Sequence, residues 1–272
     1  MSNRLFRLCD KLLAIVRKDF LTSLRYRSAF LMTGMGIVAE LAAFYYLSRA
    51  IGPSFRPQGM GYFPFLLIGA GFYAFLMMGI NSFLSSMQES QQSGTLEVLM
   101  TSRTSPATLI FLSAASAFSR NILRLLLYLA AGLMILSSVH LRYENLLAAA
   151  VAFIFSIVIA VAIGIIAAAI QLGTHKGSAV MWLFGSVAWL MTGTMFPVSV
   201  LPKPLLWIAK LIPITHCLNA LRFSLLSGGT LQGVGREIAI LAAFSVVLLP
   251  AGLLIFSYML KRARLEGTLS FY

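Results

Sequence analysis

Six long apolar blocks run through the chain: Ser28 to Ser48, Tyr62 to Met87, Leu109 to Val139, Leu146 to Ile170, Ser178 to Phe196 and Ile238 to Leu260. Crossing a bilayer takes roughly 20 predominantly apolar residues, and in hydrocarbon the backbone N–H and C=O groups must be satisfied within the segment, which a helix does. The expected fold is all-α: a polytopic membrane protein with six transmembrane helices. Composition agrees, since 59% of the residues are hydrophobic and 11% charged, against about 25% charged in a soluble globular chain.

Charge sets the orientation. Lys and Arg number 21 against 8 Asp and Glu, a net +13. The cations gather at the chain ends and between apolar blocks, so they read as a cytoplasmic bias and not as a nucleic-acid surface. Arg4, Arg7, Lys11, Arg17, Lys18, Arg25 and Arg27 precede the first span, and Lys261, Arg262 and Arg264 follow the last. With an even number of spans, both termini are expected in the cytoplasm. Linkers 49–61 and 139–146 then face outward, and 87–108 and 171–177 face inward. The first apolar block is too long for the core of a cleavable signal. Before it, Leu5, Leu8, Cys9, Leu12, Val16 and Phe20 recur at helical spacing, which predicts an amphipathic interfacial helix over 1–27, interrupted by Asp19. The permease domain spans 28–260 and a cytoplasmic tail 261–272; no linker is long enough for a further soluble domain.

Between the fifth and sixth blocks, residues 197–236 are apolar but broken by Pro197, Pro202, Pro204 and Pro213. The pieces are too short to cross a bilayer and predict two re-entrant or interfacial helices.

Enzyme chemistry finds no footing. There is no HExxH, no GxSxG and no GxxxxGK[ST] phosphate loop, and His140, His175 and His216 fall in different linkers, where each is expected to be solvated or interfacial. Cys9 and Cys217 give neither a disulfide framework nor metal-ligand spacing. Leu226-Ser227-Gly228-Gly229 echoes part of an ATPase signature, but without a phosphate loop the glycines read as a helix end.

The cytoplasmic linker after the second span is the most informative segment. In QESQQSGTLEVLMTSRTSP, residues 88–106, Gly94 breaks the descending helix and Thr95 caps a new one. Glu97 sits in its first turn, and Ser105-Pro106 starts the third span. The short helix so delimited offers Leu96, Leu99 and Met100 as an apolar knob beside Glu89, Glu97 and Arg103. Such a knob outside the bilayer suits docking into a groove on a soluble partner.

GTLEVLMTSRTSP at 94–106 resembles the GTLE-x-L-x-x-TP-x-SP segment of the transmembrane permeases of type 2 ABC exporters. MFPVSVLPKPLLWIAKLIPITHCLNALR at 195–222 is similar to their FP…LP…P-x-T…R segment between spans 5 and 6. Arg103 departs from the family's usual Pro, His216 from an aromatic and Asn219 from an acid, which leaves subfamily and substrate open. The resemblance implies a homodimeric exporter in the inner membrane of a prokaryote, driven by two copies of a separate cytosolic ABC ATP-binding subunit. ATP and Mg would bind that partner, and this chain would bind no cofactor. It also implies that Glu89, Gln92, Gly94, Thr95, Leu96, Glu97, Leu99, Met100 and Arg103 contact the ATPase. An ATP-independent carrier or assembly factor is the alternative from another class.

Polar residues inside the spans point to the translocation path. Arg124 falls about 6 Å inside the inner boundary of span 3. It forms with Arg120 either a snorkelling pair or a cationic lining that attracts a phosphate or carboxylate headgroup. Asn81 lies at similar depth on span 2 and is expected to partner Arg124. Glu40, past the middle of span 1, faces a water-filled path, a dimer partner or an outer vestibule. The aromatics Phe44, Tyr45, Tyr46, Phe63, Trp182 and Trp189 read as membrane-belt and packing residues. The substrate expected is amphipathic: a lipid, a lipid-linked glycan or a hydrophobic drug-like molecule.

Overall fold

A computed structural model describes residues 27–93, 106–135, 146–174, 176–227 and 231–266. Eight α-helices occur among them: α1 (Arg27–Ile51), α2 (Tyr62–Gln92), α3 (Pro106–Ile135), α4 (Leu146–Thr174), α5 (Gly177–Met191), α6 (Lys203–Leu211), α7 (Pro213–Leu226) and α8 (Leu231–Glu266). No strand is found among the described residues. By length and composition α1, α2, α4 and α8 can each cross a membrane, and α6 with α7 forms a pair bent by 85°. The expected interfacial helix over 1–27 and short helix after Gly94 lie outside the described residues.

α4 is the hub, packing on α8, α2, α7 and α5, while α2 also carries α3 and the inner edge of α1. Small residues make this possible. Ala148, Ala152, Ala160, Ala162, Ala167, Ala168 and Ala169 of α4 are buried, so backbones approach closely where lipid supplies no hydrophobic drive. Two glycines are sockets for rings: a Cβ on Gly79 would lie 2.2 Å from the Phe118 ring, and one on Gly164 2.5 Å from Phe83. The helix breaks follow the prolines. Ile212, held extended by Pro213 (φ −83°, ψ 115°), closes α6 and opens α7.

Three boundaries depart from the hydropathy reading. The fifth block yields a helix of 15 residues, about 22 Å long and short of the ~30 Å hydrocarbon core. It stops at Met191 because Thr192, Gly193 (φ 77°) and Thr194 turn the chain. At the other extreme, α8 begins at Leu231, inside the segment assigned to re-entrant helices, and continues to Glu266. Helix propensity does not end at the hydrocarbon boundary, and Arg, Glu and Lys continue a helix well. α3 starts at Pro106, at the Ser105-Pro106 signal and ahead of Leu109 where the apolar block begins.

Candidate functional site

At its C-terminal end α2 finishes on Gln92, and the Ser93 backbone N–H and hydroxyl both donate to the Glu89 carbonyl, at 3.0 and 2.6 Å. Of the residues expected to contact an ATPase, the Glu89 and Gln92 side chains are exposed. The remaining expected contacts, Gly94, Thr95, Leu96, Glu97, Leu99, Met100 and Arg103, lie outside the described residues.

Behind Glu89 and Gln92 stands a buried amide cluster that sequence reasoning missed. Gln171, at the end of α4, accepts from the Gly177 backbone N–H at 2.8 Å and from Gln88 Nε2 at 3.4 Å; its own Nε2 donates to Gln91 Oε1 at 3.1 Å. Gln91 and Gln171 are 0% and 1% exposed. The last turns of α2 are thus pinned to the α4–α5 turn. Buried polar groups left unmatched are costly, so this cluster favours one relative placement of the elements. The available signal was a pair of glutamines flanking apolar helices at the same predicted depth.

Within the bundle, Glu40, Asn121, Arg124 and Tyr128 line one cavity of about 20 Å³ between α1, α2 and α3, which has room for about one water. The Tyr128 hydroxyl is buried with no hydrogen-bond partner among the described residues. Glu40 and Arg124, expected separately as path residues, are therefore brought together. Asn81 is not: it is exposed, and Arg124 Nη1 points to Met78 Sδ at 3.4 Å, one turn nearer the middle of α2. Asn121 on α3, and not Asn81, lines that cavity with Arg124. Arg120 lies in α3, and its side chain is outside the described set.

Near the opposite, N-terminal end of α2, Arg222 of α7 is 1% exposed. Its guanidinium donates to the carbonyls of Gly193 (2.8 Å), Thr194 (2.9 Å) and Phe65 (3.2 Å) and stacks 3.6 Å from the Phe65 ring centroid. Gly69 makes the space, since a Cβ there would fall 1.8 Å from Arg222 Nη2. One planar fork with five donors thereby satisfies the turn after α5 and reaches the start of α2.

Of the two expectations for His216, solvated or interfacial, burial removes the solvated one. It is 9% exposed, with Nδ1 2.6 Å from Glu237 Oε2 and Nε2 2.9 Å from the Lys210 carbonyl. Both neighbours are acceptors, so the ring joins the α6 end to α8 through N–H donation. Cys217 beside it is buried and free. His140 and His175 lie outside the described residues.

Among the described residues no group of His, Cys, Asp and Glu could hold a metal ion. The geometry is that of a helical bundle fixed at both ends by polar ties, with an acid and a base meeting at one small internal cavity. No curated protein matches the chain. A family model described as ABC-2 type transporter, the membrane component, matches residues 10–226, from the basic N-terminal region to the end of α7. The chain therefore belongs to the ABC-2 type transporter family, as a transmembrane permease subunit and not the ATPase.

Proposed function

We propose that this permease exports an amphipathic substrate (a lipid, a lipid-linked glycan or a hydrophobic drug), powered by a separate cytosolic subunit that binds ATP and Mg. In this reading the chain has six spans, with α3 and α5 completing the four longer helices, and both termini in the cytoplasm of a prokaryotic inner membrane. Two copies form the path and carry two ATPase subunits. The observation that carries the reading is the tie of the α2 end, where the 88–104 segment begins, to the α4–α5 turn through Gln91 and Gln171. A push delivered to that segment reaches a rigid joint, which passes it to α2 and α4 together.

Glu40, Asn81, Arg120 and Arg124 are assigned to the inner and middle parts of the path. The 20 Å³ cavity holds no cargo by itself; in this reading it is a polar notch at the margin of a path completed by the second copy. Co-purification tests the proposal. The full chain should copurify with an ATPase whose turnover falls severalfold on Glu97→Ala or Leu99→Ala, with the complex still formed in at least one variant. A chain that moves substrate with no ATPase attached would overturn it.

A further inference from the structure

A cleft of about 410 Å³ opens between the C-terminal end of α1, the loop that follows and the first turn of α2. That volume lies within the roughly 300–1,000 Å³ usual for small-molecule sites. Arg49 and Arg56 line it together with Tyr45, Phe55, Tyr62 and Phe63, and no carboxylate does. Neither arginine forms an ion pair among the described residues. The Arg49 guanidinium lies 5.4 Å from the Tyr45 ring centroid, and Phe55 and Tyr62 meet edge to face at 5.1 Å. Arg49 thus stands over an aromatic ring, and Arg56 adds a second cation to the lining.

The loop is built, not slack. Gly59 N donates to the Arg56 carbonyl at 3.1 Å and Met60 N to the Pro57 carbonyl at 3.0 Å. Gln58 is held in the left-handed region (φ 54°), and its Nε2 donates to Asn219 Oδ1 of α7 at 3.4 Å. A non-glycine residue keeps that strained conformation only where its surroundings hold it. A ligand entering the cleft therefore meets a preformed wall and spends little on ordering it.

We propose that this cleft binds the phosphate-bearing headgroup of an anionic amphiphile. The forked donors of Arg49 and Arg56 match phosphate oxygens, and the rings of Phe55, Tyr62 and Phe63 cover the apolar shoulder beneath the charge. A neutral glycan would leave two guanidinium groups uncompensated, and a cation would be repelled. The cleft is at the start of α2, whereas the expected ATPase contacts begin only in its last turn, at Glu89, and α2 is 31 residues and so about 46 Å long. The assignment therefore stands apart from ATPase docking and from the direction of transport.

Isothermal titration calorimetry on the full chain in an uncharged maltoside detergent tests it, with dihexanoyl phosphatidylglycerol, inorganic phosphate and dihexanoyl glycerol as probes. Dihexanoyl phosphatidylglycerol should bind and the neutral dihexanoyl glycerol should not. The double variant Arg49→Gln/Arg56→Gln should weaken binding by about tenfold or more at an unchanged thermal midpoint, as expected for charged hydrogen bonds lost. Arg56→Gln alone, which removes no side-chain bond described here, should weaken it severalfold and guards against misfolding. Phe55→Ala should weaken the lipid but not inorganic phosphate if the source is a lipid headgroup; equal affinity for both probes identifies free phosphate as the source. Wild-type affinity for phosphatidylglycerol in both arginine variants, or no binding of either anion, overturns the proposal.

Discussion

α1 and α2 are neighbours in sequence and space, and both are apolar enough to cross a membrane, yet they stand in opposite surroundings. In the most apolar stretch of α2, 83% of residues are buried inside the chain; in that of α1, 11% are. Phe65, Leu66, Ile68, Leu76, Ile80 and Phe83 of α2 are at most 1% exposed, whereas Leu31, Met32, Met35, Val38 and Tyr46 of α1 are open, with Ile37 and Leu41 holding its inner edge. Lipid tails are as apolar as leucine, so hydropathy reports what hydrocarbon accepts and not which helix is enclosed by others. Glycine sockets and polar ties distinguish the two: α2 has Gly69, Gly79, Gln88 and Gln91 in such roles.

Substitutions at four positions would sharpen or break that contrast. The largest effect is expected for Arg222→Ala, which removes the donor to the carbonyls of Gly193 and Thr194 and the added bond to α2's Phe65. At ~1–3 kcal/mol per buried acceptor, the loss is on the order of 4 kcal/mol, and the thermal midpoint in detergent should fall by about 10 °C. Arg222→Lys should recover only part, since one ammonium does not reproduce the fork. An unchanged midpoint would remove the Arg222 tie as a reason for α2's central place.

Gln171→Leu should cost less, roughly 2 kcal/mol, and act locally: hydrogen exchange of the backbone amides of Gln88 to Gln91 should speed up while the Arg222 end stays protected. Uniform exchange along α2 would show that the inner end is held by apolar packing instead. The smallest effect belongs to α1. Met35→Ala should shift stability by less than ~0.5 kcal/mol, against about 2–4 kcal/mol for the buried Leu41→Ala in the same helix. If Met35→Ala proves as damaging as Leu41→Ala, the open stripe of α1 is covered by a second copy of the chain.

Much of the bundle was legible from residues. α2 and α4 begin at Tyr62 and Leu146, the first residues of their apolar blocks, and the break at Pro213 is present as an 85° bend. Those features depend on apolar runs and on proline, whose effects reach only a few residues. The candidate site was less legible. Glu40 and Arg124 were singled out for being polar in apolar spans, but their shared cavity depends on how α1 and α3 rotate about their axes. Asn81 stays out of that cavity for the same reason, because equal depth on two helices does not make two side chains face each other. The burial of His216 was not legible, because a linker position gave no hint of the Glu237 carboxylate waiting on α8.

The sequence by itself determined that the chain lives in a membrane, that it is helical, where most helices start and where prolines divide them, since each follows from solvent transfer and short-range backbone sterics. The tertiary structure alone decided which helix is enclosed and which polar groups meet. Arg222 finds its acceptors 28, 29 and 157 residues away, and Gln171 reaches Gln91 across 80. Such partners are selected by the requirement that every buried donor find an acceptor in the packed bundle, and that requirement is met in space, not along the chain.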